Sequence, residues 1–164
     1  MIESRMEDIG QALLEWFTPR VSSLGFVSFA WHPQMRSGPV YPPSPRTQCP
    51  RAYLRIGQAG YVPGRTLGCQ EATLICQCSI WVQLRQMPGQ QHQRLLVAAL
   101  DVFQTALLQA EWRFEGLPVD NLVELKATSS EFRIADELDH PLDDPALRVS
   151  SGELTLILEG RLRS

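Results

Sequence analysis

The chain has 164 residues, 44% hydrophobic and 20% charged, which suits one domain around one core and excludes a disordered, collagenous or coiled-coil chain. Its formal charge of −3, with fourteen scattered arginines and Lys126 as the single lysine, argues against a general nucleic-acid binder, whose footprint is a concentrated basic surface. The longest apolar run, Leu95 to Leu100, is far short of the roughly 20 residues of a spanning helix. The acidic opening Met1-Ile2-Glu3-Ser4-Arg5-Met6-Glu7-Asp8 is unlike a secretory leader, so no membrane and a cytosolic origin are expected.

In chain order, Ile2, Met6, Ile9, Leu13, Phe17 and Val21 recur at steps of three and four, the stripe of an amphipathic helix. Gly25 is placed to end it in a left-handed conformation. Phe26 to Trp31 reads as a strand. Half of the twelve prolines then fall between Pro33 and Pro50; proline lacks an amide hydrogen and turns its predecessor away from helix, so 33–50 is expected to be an extended loop. Ala52, Leu54 and Ile56 alternate as a strand, and Gly57 to Gly68 reads as a second loop.

The strongest strand follows, over 71–85: Ala72, Leu74, Cys76, Cys78, Ile80, Val82 and Leu84 share one face. Pro88-Gly89 leads into a helix over Gln91 to Glu111, which Gly116-Leu117-Pro118 stops. Val119, Val123, Leu125 and Ala127 suggest a strand, with Phe132 to Ile134 as its partner or continuation. Residues 136–144 read as an acidic loop. Leu154, Leu156, Leu158 and Leu162 mark the last strand. The expected fold is α+β, a mostly antiparallel sheet packed on one face by two helices, as a single domain over 1–164.

The search for chemistry returns little. Gly57-Gln58-Ala59-Gly60 lacks the spacing, lysine and hydroxyl of a phosphate loop, and no nucleophile elbow, metalloprotease helix or calcium loop is present. Cys49, Cys69, Cys76 and Cys78 form no Cys-x-x-Cys pair; packing, reduced thiols are expected, rather than a zinc site with His32 or His92. Neither Cys49 nor Cys69 has a sequence neighbour that would activate a nucleophile. His140, between Asp139 and Asp143, is the one candidate for metal binding or acid/base chemistry, against the reading of a solvated acidic loop. Trp16, Trp31, Trp81 and Trp112 lie in different elements, which suits packing better than a base-stacking platform. No enzyme, metal or cofactor is expected. Long strands, a Pro-rich arm, a Gly/Pro loop with Tyr61 and Arg65, and an acidic loop suit a protein that touches other proteins.

The order of elements, from Met1-Ile2-Glu3-Ser4-Arg5-Met6-Glu7-Asp8-Ile9-Gly10-Gln11-Ala12-Leu13-Leu14 through the strand 71–85 and helix 91–111 to Leu154-Thr155-Leu156-Ile157-Leu158-Glu159-Gly160-Arg161, resembles the tail-terminator (tail-completion) proteins of long-tailed bacteriophages. The resemblance covers most of the chain and is one of pattern. It implies a homohexameric ring, assembled in the host cytoplasm, that caps the tail tube at its head-proximal end, stops tube polymerisation and docks the head-side connector or stopper. DNA would pass the lumen without specific binding. Arg36, Tyr41, Arg46, Tyr61 and Arg65, in loops 33–50 and 57–68, become candidates for gripping a neighbouring subunit or the tube protein. Glu131, Asp136, Glu137, Asp139, Asp143 and Asp144 become candidates for the lumen or the connector. The alternatives are another phage neck, head-completion or tube protein of related fold, or a small α+β ligand-binding domain built around His140.

Overall fold

The computed structural model describes residues 5–26, 28–31, 51–64, 71–85, 91–134 and 149–163. Helix α1, Arg5–Phe17, buries Ile9, Ala12, Leu13, Leu14, Trp16 and Phe17 along one stripe. The helix is shorter than the apolar spacing suggests: after Phe17 the chain tightens into two 3-10 turns, Thr18–Arg20 and Ser22–Leu24. Pro19 cannot extend the α-helical ladder. Thr18 Oγ1 and Arg20 Nη1 instead donate to the carbonyls of Leu14 and Trp16, each at 2.6 Å, satisfying acceptors that the helix end leaves open. Gly25 then turns the chain with φ +63°.

Five strands form one sheet: β1 Ser28–Trp31, β2 Arg51–Pro63, β3 Glu71–Arg85, β4 Leu122–Ile134 and β5 Val149–Arg163, in the spatial order β1-β2-β3-β5-β4. β1 runs parallel to β2, and the other pairings are antiparallel. Helix α2, Gln91–Gln109, joins β3 to β4, which run in the same direction with β5 between them. Such a crossover carries a helix back over the sheet, and α2 packs against β3, β4 and β5 while α1 packs against β2. Both helices cover the same face. The fold is thus α+β, a mostly antiparallel sheet under two helices.

Two boundaries differ from the sequence reading. The segment from Gly57, expected to be a loop, continues β2 as far as Pro63, with a bulge between Ile56 and Gln58. Its glycines relieve the bulge and a strand edge rather than turn the chain, and Tyr61 sits on a strand, not in a loop. Likewise Glu131, grouped as a candidate with the acidic residues of 136–144, belongs to β4, because 122–134 is one strand with bulges near Val123 and Thr128. Phe132 to Ile134, open in sequence as partner or continuation, is the continuation; the bulges break the period-2 pattern that would have decided it.

The core lies between helices and sheet. Leu54, Leu74, Cys78, Ile80, Val82, Leu154, Leu156 and Leu158 from the strands meet Leu13, Phe17, Leu96, Leu100, Phe103 and Leu107 from the helices, all 0% exposed. Aromatic rings tie the layers together: Phe103 of α2 lies 5.5 Å from Phe17 and 5.6 Å from Phe29 between ring centroids, and Trp16 meets Phe114 edge-on at 4.8 Å. Cys76 and Cys78 are free buried thiols on the helix-facing side, as period 2 requires. Burial pushes the Cys76 thiol up to about 11, and raises that of Cys78 further beyond the ordinary thiol value.

Candidate functional site

The features that stand apart from the core are the second sheet face, on which no described helix lies, and the two sheet edges. On that outer face Arg51, Tyr53, Ser79, Gln83 and Glu153 are buried. Arg51 donates through Nε to Gln83 Oε1 at 2.6 Å, and its guanidinium stands 4.6 Å from the centre of the Tyr53 ring. Tyr53 in turn pairs directly with Trp81, and Trp81 with Glu153. Elsewhere on this face charges are matched across strands: Arg133 with Glu153 at 3.0 Å, Arg161 with Glu124 at 3.3 Å and Arg163 with Glu71 at 3.2 Å. The Arg161 and Arg163 pairs are open to solvent and add little stability, but all three leave the face close to neutral. Glu131 is exposed and lies opposite the uncharged Thr155.

Hydrogen bonds fix which main-chain groups of the edge strands point outward. The Gly64 N–H donates to the Glu71 carbonyl at 2.9 Å, so Gly64, Val62, Gly60 and Gln58 turn their polar groups toward β3. By alternation, Pro63, Tyr61 and Ala59 turn theirs away from the sheet. β1 covers only residues 51–54 of this edge, and from Gln58 to Gly64 every residue is exposed. Proline at position 63 fits this geometry, since the missing N–H falls on the open side.

At the opposite edge, the Arg163 N–H donates to the Asn121 carbonyl at 2.8 Å, which turns the odd-numbered residues of β5 toward β4. Glu124, Lys126, Ser129, Glu131 and Arg133 therefore bond to β5, and Leu125, Ala127, Ser130, Phe132 and Ile134 point outward. The first two are capped by the turn after α2: Phe114 N–H donates to the Leu125 carbonyl at 2.9 Å, and Ala127 N–H to the Trp112 carbonyl at 2.7 Å. Beside Ser130, Phe132 and Ile134 no described segment lies. Among the described residues, each of these two stretches carries one exposed aromatic ring, Tyr61 at 49% and Phe132 at 38%.

Among the described residues the surface also carries two shallow depressions. One, of about 710 Å³, runs along Gly57–Val62 with Ile75 and Ile157. The other, of about 540 Å³, lies at the start of β4 between Arg113, Gly116, Glu124 and Arg161. Neither gathers a nucleophile and a base, and among the described residues no three His, Cys, Asp or Glu side chains converge on a point that would hold a metal. Of the candidates named from sequence, Tyr61 and Glu131 lie on edge strands at opposite sides of the sheet. Arg36, Tyr41, Arg46, Arg65, Asp136, Glu137, Asp139, Asp143 and Asp144 lie outside the described residues, as do His32, His140, Cys49 and Cys69. The sequence singles out neither Phe132 nor the outward-facing Ala59; for Ala59 the available signal is Pro63, which marks an open edge, whereas β4 holds no proline and no comparable signal marks Phe132.

No family model and no curated protein matches the chain. Among solved structures it is similar to a chain from the virion of a native gene transfer agent particle, with a TM-score of 0.46 and 12% identity over 88% of this chain and 84% of that one. That likeness is one of chain trace and assigns no activity or partner.

Proposed function

We propose that the chain is a structural virion protein whose copies form a ring, six in number by the resemblance in element order, that caps the tail tube of a long-tailed phage. The ring ends tube polymerisation and offers its far side to the head-side connector or stopper protein. The observation that carries this reading is a sheet in which β2 beyond Leu54 and, at the opposite side, β4 beyond Ala127 present main-chain groups with no strand partner among the described residues. Unlike edges on one molecule form a head-to-tail contact, which closes into a ring or runs on as a filament. The acidic balance suits a ring through which DNA passes without specific binding, because a negative bore repels the duplex. Glu131, exposed on the outer face, remains a candidate for the lumen or the connector. The test is the particle itself: light scattering and negative-stain microscopy of the purified protein are expected to show closed sixfold rings and no long tubes. A monomer at micromolar concentration would sink the reading, and tubes would replace it with a tube protein.

A further inference from the structure

We infer that neighbouring copies in the ring join edge to edge, the open stretch of β2 in one copy pairing antiparallel with the open stretch of β4 in the next. The inference rests on the ring reading and names its contact. Four observations converge on it. First, the stretches without a strand partner among the described residues are comparable in length: β1 ends at the level of Leu54, leaving 55–63 of β2, and the turn at 112–114 ends at Ala127, leaving 128–134 of β4.

Second, the strand directions agree. Within one copy β2, β3, β5 and β4 alternate in sense, so β2 and β4 are antiparallel. Copies in the same orientation therefore present antiparallel partners, the pairing whose hydrogen bonds run straight across. Third, the parity matches. Outward-facing Ala59 and Tyr61 pair with Cys76 and Leu74, and outward-facing Ser130 and Phe132 pair with Leu156 and Leu154, so all four belong to the helix side of the sheet. Bonding between outward residues of the two copies thus continues the sheet without flipping a face.

Fourth, Tyr61 and Phe132, the exposed rings of the two stretches among the described residues, belong to that same face, where a cross-strand aromatic contact would cover both. The two stretches lie toward opposite ends of the sheet, so each junction is staggered, as closing a sheet around an axis requires.

Tyr61→Pro and Phe132→Pro each delete an outward N–H and leave the ladders to β3 and β5 intact. Each variant is expected to keep the far-ultraviolet circular dichroism of the parent and to sediment as a monomer. Mixed in equal amounts, the two restore one sound junction, β2 of the Phe132→Pro copy with β4 of the Tyr61→Pro copy, and should sediment as dimers and nothing larger. Rings from either variant alone, dimers from either alone, or a mixture that stays monomeric would overturn the edge pairing while leaving the ring itself standing. A parent protein that is monomeric removes the ring reading instead. Should a proline variant fail to fold, Tyr61→Arg and Phe132→Arg, whose side chains are exposed, pass through the same mixing with the same outcomes.

Discussion

A Cβ added at Gly152 would lie 2.7 Å from Leu100 Cδ1, the tip of a fully buried side chain that must shift to admit it. Gly152→Val is therefore expected to lower stability by about 1–3 kcal/mol, the usual cost of overpacking, read as a shift in urea midpoint. The thiols of Cys76 and Cys78, buried and held protonated, should resist alkylation in the folded protein at pH 8 and react once urea unfolds it. Their raised values also set a direction with pH. Both contribute full stability below pH 9, the ordinary thiol value, and the contribution of Cys76 is lost as pH climbs from there toward about 11. Stability measured from pH 8 to 11 should fall more steeply in the parent than in a Cys76→Ala, Cys78→Ala double variant. Cys78→Asp, which buries an unpaired charge among apolar neighbours, should yield no native protein by circular dichroism. On the outer face, Gln83→Ala removes the acceptor of the buried Arg51 Nε–H, and a loss of about 1.5–3 kcal/mol is expected, as for other hydrogen bonds to a charged group.

Among the elements, β2 offers the sharpest internal control. Gly60 turns its N–H toward β3 and Tyr61 turns its own away, so Gly60→Pro breaks the sheet ladder while Tyr61→Pro does not. Thermal melts should show a clear loss for the first and a small change for the second. Such distinctions were only partly legible in the sequence. The long strand 71–85 was readable because seven apolar residues keep strict alternation on a sheet with one covered face, and the second helix because Leu96, Leu100, Phe103 and Leu107 hold helical spacing. The second half of β2 was not, since Gly57, Gly60, Pro63 and Gly64 are turn residues by local preference and the pairing with β3 overrides them. For β4 the sequence leaves Phe132 to Ile134 open as partner or continuation, because the bulges shift the alternation. Nothing local announced that β5 inserts between β3 and β4. That follows from α2 carrying the chain one strand farther across, a choice made by packing between distant segments.

For the whole molecule, the outer face and the edges divide the work. Among the described residues, matched charges across β3, β4 and β5 keep the outer face close to neutral, whereas the two open stretches present donors, acceptors and one exposed aromatic ring each. Assembly is therefore expected to depend weakly on salt: rings sized by light scattering at low and at high ionic strength should have the same mass. Dissociation by moderate salt alone would mean that charged surfaces, not strand edges, hold the copies together.

Pro63 and β1 stand at the two ends of the open stretch of β2. A partner strand laid along it meets a chain already in place at one end and a missing donor at the other. In the proposed pairing, a slip of that strand by one residue would turn its side chains to the wrong face. Such a contact would be indexed as well as adhesive: the same face kept at every junction is what would let the last copy meet the first.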